Sequence, residues 1–245
     1  MTPLSPQIPT GTRPPLADAL VKLAQTPDDV SSIAEDLQKV AELAATRISK
    51  IDYAAVSPQS EDGPCTVAVS QDLAVAVQDA AVADLDAVAP PLEQDVSGHG
   101  GADASVTLAW PGFREAATSM GMRVVSMPLF TGSGATRATL DLCSRDAAAM
   151  APLTAGICAA YDPNLPSPGE VDDLAPLDDG GQELVAGFAE ALSVRATIQL
   201  AVELVATRSG SGPNDAYLEL RLDAADKGIS LLAAATAVIT RSLAG

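Results

Sequence analysis

Between Asp162 and Gly181 the chain changes character. Pro163, Pro166, Pro168 and Pro176 sit among Glu170, Asp172, Asp173, Asp178 and Asp179, and no base interrupts them. A run this rich in proline and like charge does not sustain a helix or a buried strand. It predicts a solvated linker and divides the 245 residues into two parts that must each bury a core. Residues 162–181 are therefore expected to join a larger unit, 16–161, to a smaller one, 182–245. Met1 to Pro15 is Pro- and Thr-rich without an apolar core segment. It reads as a disordered arm rather than a signal peptide.

The larger unit alternates helix and strand signals. Leu16 to Ala24 predicts a short amphipathic helix. Thr26-Pro27-Asp28 then reads as a helix start, with a Thr cap and Pro at the first helical position. Ile33, Leu37, Val40, Leu43, Ala44 and Ile48 follow at three- and four-residue steps, which makes one buried stripe. Tyr53 to Val56 and Cys65 to Val69 read as strands, Asp72 to Val88 as a helix stopped by Pro90 and Pro91, and Val106 to Leu108 as a short strand. Trp110-Pro-Gly-Phe113 opens a helix that Gly121 closes. Arg123 to Phe130 predicts a strand with Pro128 toward its edge. Thr131-Gly-Ser-Gly134 is a hairpin turn, and Ala138 to Cys143 returns with period two. Ala147 to Tyr161 is a further helix, interrupted at Pro152. Helices flanking hairpin-linked strands predict an α+β unit with an antiparallel sheet.

The smaller unit carries only helix signals. Gln182 to Arg208 predicts one long helix. Leu184, Phe188, Ala191, Ile198, Val202 and Val205 form a heptad seam suited to a second chain, and thus to a homodimer. Gly210 to Pro213 breaks it. Pro213 opens a second helix that Gly228 closes, with Ala216, Tyr217, Leu220 and Ala224 on one face. Ser230 caps a third, with Leu231, Leu232, Ala235, Val238 and Ile239 inward.

Composition narrows the function classes. Net charge is −18, and aromatic residues are 3% of the chain. A molecule that grips phosphates over its whole surface must be basic, and a base-stacking platform needs aromatics. Yet hydrophobic residues reach 47%, too many for a disordered acidic chain. No run of about 18 uncharged apolar residues is present, so no membrane-spanning helix is expected. Cys65, Cys143 and Cys158 are too few and too far apart for a disulfide framework and are expected as buried thiols. His99, the single histidine, lies in the Gly-rich loop Ser97 to Gly101 and has no second histidine at metal-ligand spacing. Gly132-Ser-Gly134 and Gly210-Ser-Gly212 do not continue to Lys-Ser/Thr and read as turns rather than phosphate loops. Asp84 with Asp86, and Asp172 with Asp173, read as solvated faces. No catalytic constellation, metal site or cofactor is expected.

Two resemblances can now be stated. Ile51-Asp-Tyr-Ala-Ala-Val56, Trp110 to Ala117, Met120 to Leu129 and Ala138 to Leu142 follow in an order that resembles a GAF domain of the type in actinobacterial regulators. Such a domain implies a pocket for a small molecule or a protein partner. Arg114, Arg123 and Arg137 are the cations of its core motifs. Arg195-Ala196, Ile198 and Ala201, then Asp215 to Arg221, then Leu232 to Ile239, resemble an ANTAR domain, a three-helix RNA-binding module of transcription antiterminators. This resemblance implies a cytoplasmic regulator that binds an RNA hairpin through Arg195, Arg208, Tyr217, Arg221 and Lys227. From Arg195 onward, however, five bases face five acids. The alternative expectation is a dimeric regulator whose bundle serves dimerisation or protein docking in place of RNA.

Overall fold

A computed structural model describes residues 13–59, 65–70, 107–109, 113–162, 164–166 and 174–244. The expectations for the N-terminal arm before residue 13, for Asp72 to Val88, for Pro90 and Pro91 and for the His99 loop lie outside these residues. In chain order the described elements are α1 (Pro15–Gln25), α2 (Ile33–Arg47), β1 (Tyr53–Pro58), β2 (Thr66–Val69), β3 (Thr107–Ala109) and α3 (Phe113–Ser119). They continue with β4 (Arg123–Phe130), β5 (Thr136–Ser144), α4 (Ala147–Tyr161), α5 (Asp179–Ser209), α6 (Pro213–Lys227) and α7 (Leu231–Leu243). The class is α+β.

The five strands form one antiparallel sheet in the order β3-β2-β1-β5-β4. Period-two alternation decides its two faces. Ala54 and Val56 of β1, Leu140 and Leu142 of β5, and Met127 and Leu129 of β4 turn toward the helices. Ala55, Val67 and Cys143 turn the other way, onto Phe113 and Ala117 of α3. Pro128 lies in β4, whose only partner among the described strands is β5, so its missing N–H costs no ladder bond on the outer side.

The helices build two cores. In the first, Leu16, Leu20 and Leu23 of α1, Val40 and Ala44 of α2, Met150 and Leu153 of α4, and Leu184 and Phe188 of α5 cover the sheet. In the second, Ile198, Ala201 and Val205 of α5 meet Ala216 and Leu220 of α6 and Ala234, Ala235 and Val238 of α7. Val21 and Ala24 of α1 join this second core. Helices α1 and α5 therefore belong to both.

Four expectations are corrected. Thr26 does not start a helix: it is the C-cap of α1, and α2 begins at Ile33. The carboxylates of Asp28 and Asp29 are drawn into tertiary contacts with Thr131 and Arg221, so they cap nothing. Pro152 does not interrupt α4, which runs unbroken from an Asp146 cap whose side chain accepts from Ala148 and Ala149 N–H. Pro152 is buried against neighbouring packing, which offsets its one lost helical bond. Asp179, Gly180 and Gly181 are the first turn of α5, not linker, with the Asp178 carboxylate accepting from Gly181 N–H at 2.6 Å. Finally, the heptad seam faces inward. Leu184, Phe188, Ala191, Ile198 and Val205 are buried within the single chain, and Val202 packs partly against the second core. α1, α6 and α7 occupy the place expected for a second chain.

Candidate functional site

The two cores meet where the β4–β5 hairpin turn reaches the bundle. Gly132 N–H donates to Thr26 O at 2.7 Å, which ties the turn to the end of α1. A Cβ on Gly132 would stand 2.9 Å from Leu231 Cδ2, 2.9 Å from Thr26 O and 3.0 Å from the Tyr217 hydroxyl. Gly134 has φ +77°, and a Cβ there would stand 2.9 Å from Gln199 Nε2. Both glycines are thus set by close approach, not only by turn geometry.

Three of the five residues expected to contact RNA converge on this seam. Arg195 donates through Nε to Gly134 O at 2.7 Å, and its guanidinium lies 4.5 Å from the centre of the Phe130 ring. Arg221 pairs with Asp29 at 2.6 Å and lies beside the Tyr217 ring. The hydrogen bond from Arg221 holds the Asp29 carboxyl below its ordinary pKa. The Tyr217 hydroxyl is buried without a hydrogen-bond partner. Burial, helped by the nearby charge of Asp28, pushes its pKa up. The other two residues lie apart from this group. Arg208 pairs with Glu219 at 3.2 Å, and Lys227 pairs with Asp223 at 2.6 Å. Each of the five is therefore engaged inside the chain.

The face of the sheet under α3 carries a second cluster. Asp141 of β5 is 1% exposed. It accepts from Arg114 Nη2 at 2.5 Å and Ser126 Oγ at 2.6 Å. Such a charge is tolerated in the interior only when paired and hydrogen-bonded. The sequence carried a signal for it: Asp141 is an acid at an alternating position between Leu140 and Leu142. Of Arg114, Arg123 and Arg137, all exposed, Arg114 pairs with Asp141.

Cys65 and Cys143 are buried on the same face. Burial pushes the Cys143 thiol up to about 12 and raises that of Cys65, so neither is a ready nucleophile at neutral pH. Cys158 is exposed, contrary to the expectation of three buried thiols, because α4 turns it away from the sheet. No group of three or more His, Cys, Asp or Glu suited to a metal ion occurs among the described residues. Helix α5 has the length and apolar character of a membrane span, with mean hydropathy 1.3 over its best window. Within that window 39% of the residues are buried, and Ile198, Ala201 and Val205 of α5 pack against α6 and α7.

The chain matches no protein-family model, and the comparisons with curated proteins and with solved structures found no match.

Proposed function

We propose that the chain is a non-enzymatic, signal-responsive regulator of the cytoplasm. In this reading a GAF-like sheet unit carries an ANTAR-like bundle that acts by docking a protein rather than RNA. The observation that supports this reading is the internal engagement of all four candidate cations: Arg208, Arg221 and Lys227 pair with carboxylates and Arg195 bonds to Gly134 O, while the Tyr217 ring lies beside Arg221. Phosphate binding draws its energy from cations free to displace counterions. Cations already paired with carboxylates have less to gain. The test is a titration of the intact chain with a hairpin RNA at low ionic strength. No salt-dependent binding is expected, and a log K that falls linearly with log salt would overturn the reading.

A second reading keeps RNA binding under control of the sensor. One observation favours it: Arg195, Tyr217 and Arg221 lie on the same seam, so opening that seam would release them together. Gly132→Ala wedges a methyl group between the turn and the bundle. If the second reading holds, this variant binds the hairpin and the parent chain does not.

A further inference from the structure

The face of the bundle away from the hairpin carries a feature that no internal contact explains. On α6, Leu218 and Leu222 are 49% and 57% exposed one helical turn apart, although Leu220 and Ala224 satisfy the core. They line a groove of about 440 Å³ between α6 and the ends of α5 and α7, where Val205 and Val238 also contribute. Contiguous exposed apolar surface rimmed by polar groups marks interaction sites, whereas apolar residues scattered singly do not. Of the four carboxylates on the groove wall, Glu219 pairs with Arg208 and Asp223 with Lys227, while Asp215 and Asp226 make no ion pair among the described residues and line the groove beside Arg241.

We infer that this groove is the docking site for a basic amphipathic helix of a partner protein, with apolar side chains on Leu218 and Leu222 and Lys or Arg facing the acids. The inference rests on the reading of the bundle as a protein-docking element. Charge selects this occupant. A second copy would bring another −18 charges to an acidic groove, whereas a cationic helix is steered toward it. An amphipathic helix also presents anchors at i, i+3 or i+4 and i+7, a spacing matched to a leucine pair one turn apart.

The test uses the full chain and a labelled synthetic helical peptide with leucines on one face and flanking lysines, followed by fluorescence anisotropy. Saturable binding that weakens with salt is expected. Leu218→Ser with Leu222→Ser should weaken it by about ten-fold or more, because two exposed apolar contacts are lost without touching the core. Asp215→Asn with Asp226→Asn should weaken it and flatten its salt dependence. Glu35→Gln, an exposed acid on α2, should change nothing. Equal affinity of the serine variant would mean that the peptide adheres to acidic surface at large, and the inference fails. It fails also if sedimentation finds a dimer that the serine variant abolishes, since the occupant is then a second copy. RNA binding by the parent chain overturns the reading beneath the inference; absence of both RNA and peptide binding overturns the groove alone.

Discussion

Tyr217 stands where the hairpin turn meets the bundle, its hydroxyl 3.0 Å from the place a Cβ on Gly132 would take. The sequence leads to the expectation of an RNA contact here, yet the tyrosine ring is packed at the seam and its hydroxyl is buried beside Gly132 without a partner. A buried hydroxyl that bonds to nothing has a desolvation penalty and no return. Tyr217→Phe should therefore leave stability unchanged or raise it by about 1 kcal/mol in chemical denaturation. A clear loss would mean that water or Asp28 satisfies the hydroxyl in solution. Gly132→Ala should act in the opposite sense. Its methyl group meets Leu231 and the Thr26 carbonyl at 2.9 Å, and overpacking of this kind costs about 1–3 kcal/mol. Asp29 supplies the pH dependence. Its folded pKa lies below the ordinary value of 3.8 because Arg221 bonds the carboxylate. The pairing contributes above that ordinary value and is lost as pH falls through the depressed one. Tyr217 fluorescence or exchange at the seam, followed downward from pH 5, should report loosening only below about pH 4, and Asp29→Asn should remove that step.

At the scale of elements, α5 decides how the two cores relate. Its first half packs on α1 through Gly187, where a Cβ would stand 2.5 Å from Ala17 Cα. Its first turn packs on the end of α2 through Gly180, where a Cβ would run into the Arg47 carbonyl. Glu183, buried between them, accepts from Leu16 N–H at the open N-terminus of α1 at 3.4 Å and also from Arg47. It acts as a cap supplied by another helix. Glu183→Ala should lower stability by about 1–3 kcal/mol, because it strands a buried N–H and an arginine at once. Proline and acid content, which are properties of a stretch, place Gly180 in a solvated linker. Helix packing turned on one residue lacking a side chain. The capping signals fared better: Ser230, Gly210 and Gly228 lie where their local chemistry put them. Capping needs only neighbours in sequence.

At the scale of the whole molecule, charge and burial act together. The heptad stripe of α5 is taken up inside the chain, and the chain as a whole carries a net charge of −18. Repulsion between two such molecules opposes pairing at low salt. Sedimentation equilibrium at micromolar concentration and low ionic strength should return the mass of one chain, 24.8 kDa. A dimer that persists there would show that an apolar face outweighs the charge, and the α6 groove would be the first place to look.

The sequence by itself determined what depends on near neighbours. That includes the α+β class, the alternation of β5, the hairpin at Thr131 to Gly134, and helix ends at glycine and serine. It also located the acidic, proline-rich stretch between Asp162 and Gly181. Only the tertiary structure decided which surface each apolar stripe meets and which charge each arginine finds. Periodicity says that Leu184 to Val205 must be covered, and α1 lies 160 residues away in sequence from the stripe it covers. A basic side chain looks free in a string of letters. Arg195 and Arg221 become structural because the chain brings Gly134 and Asp29 to them.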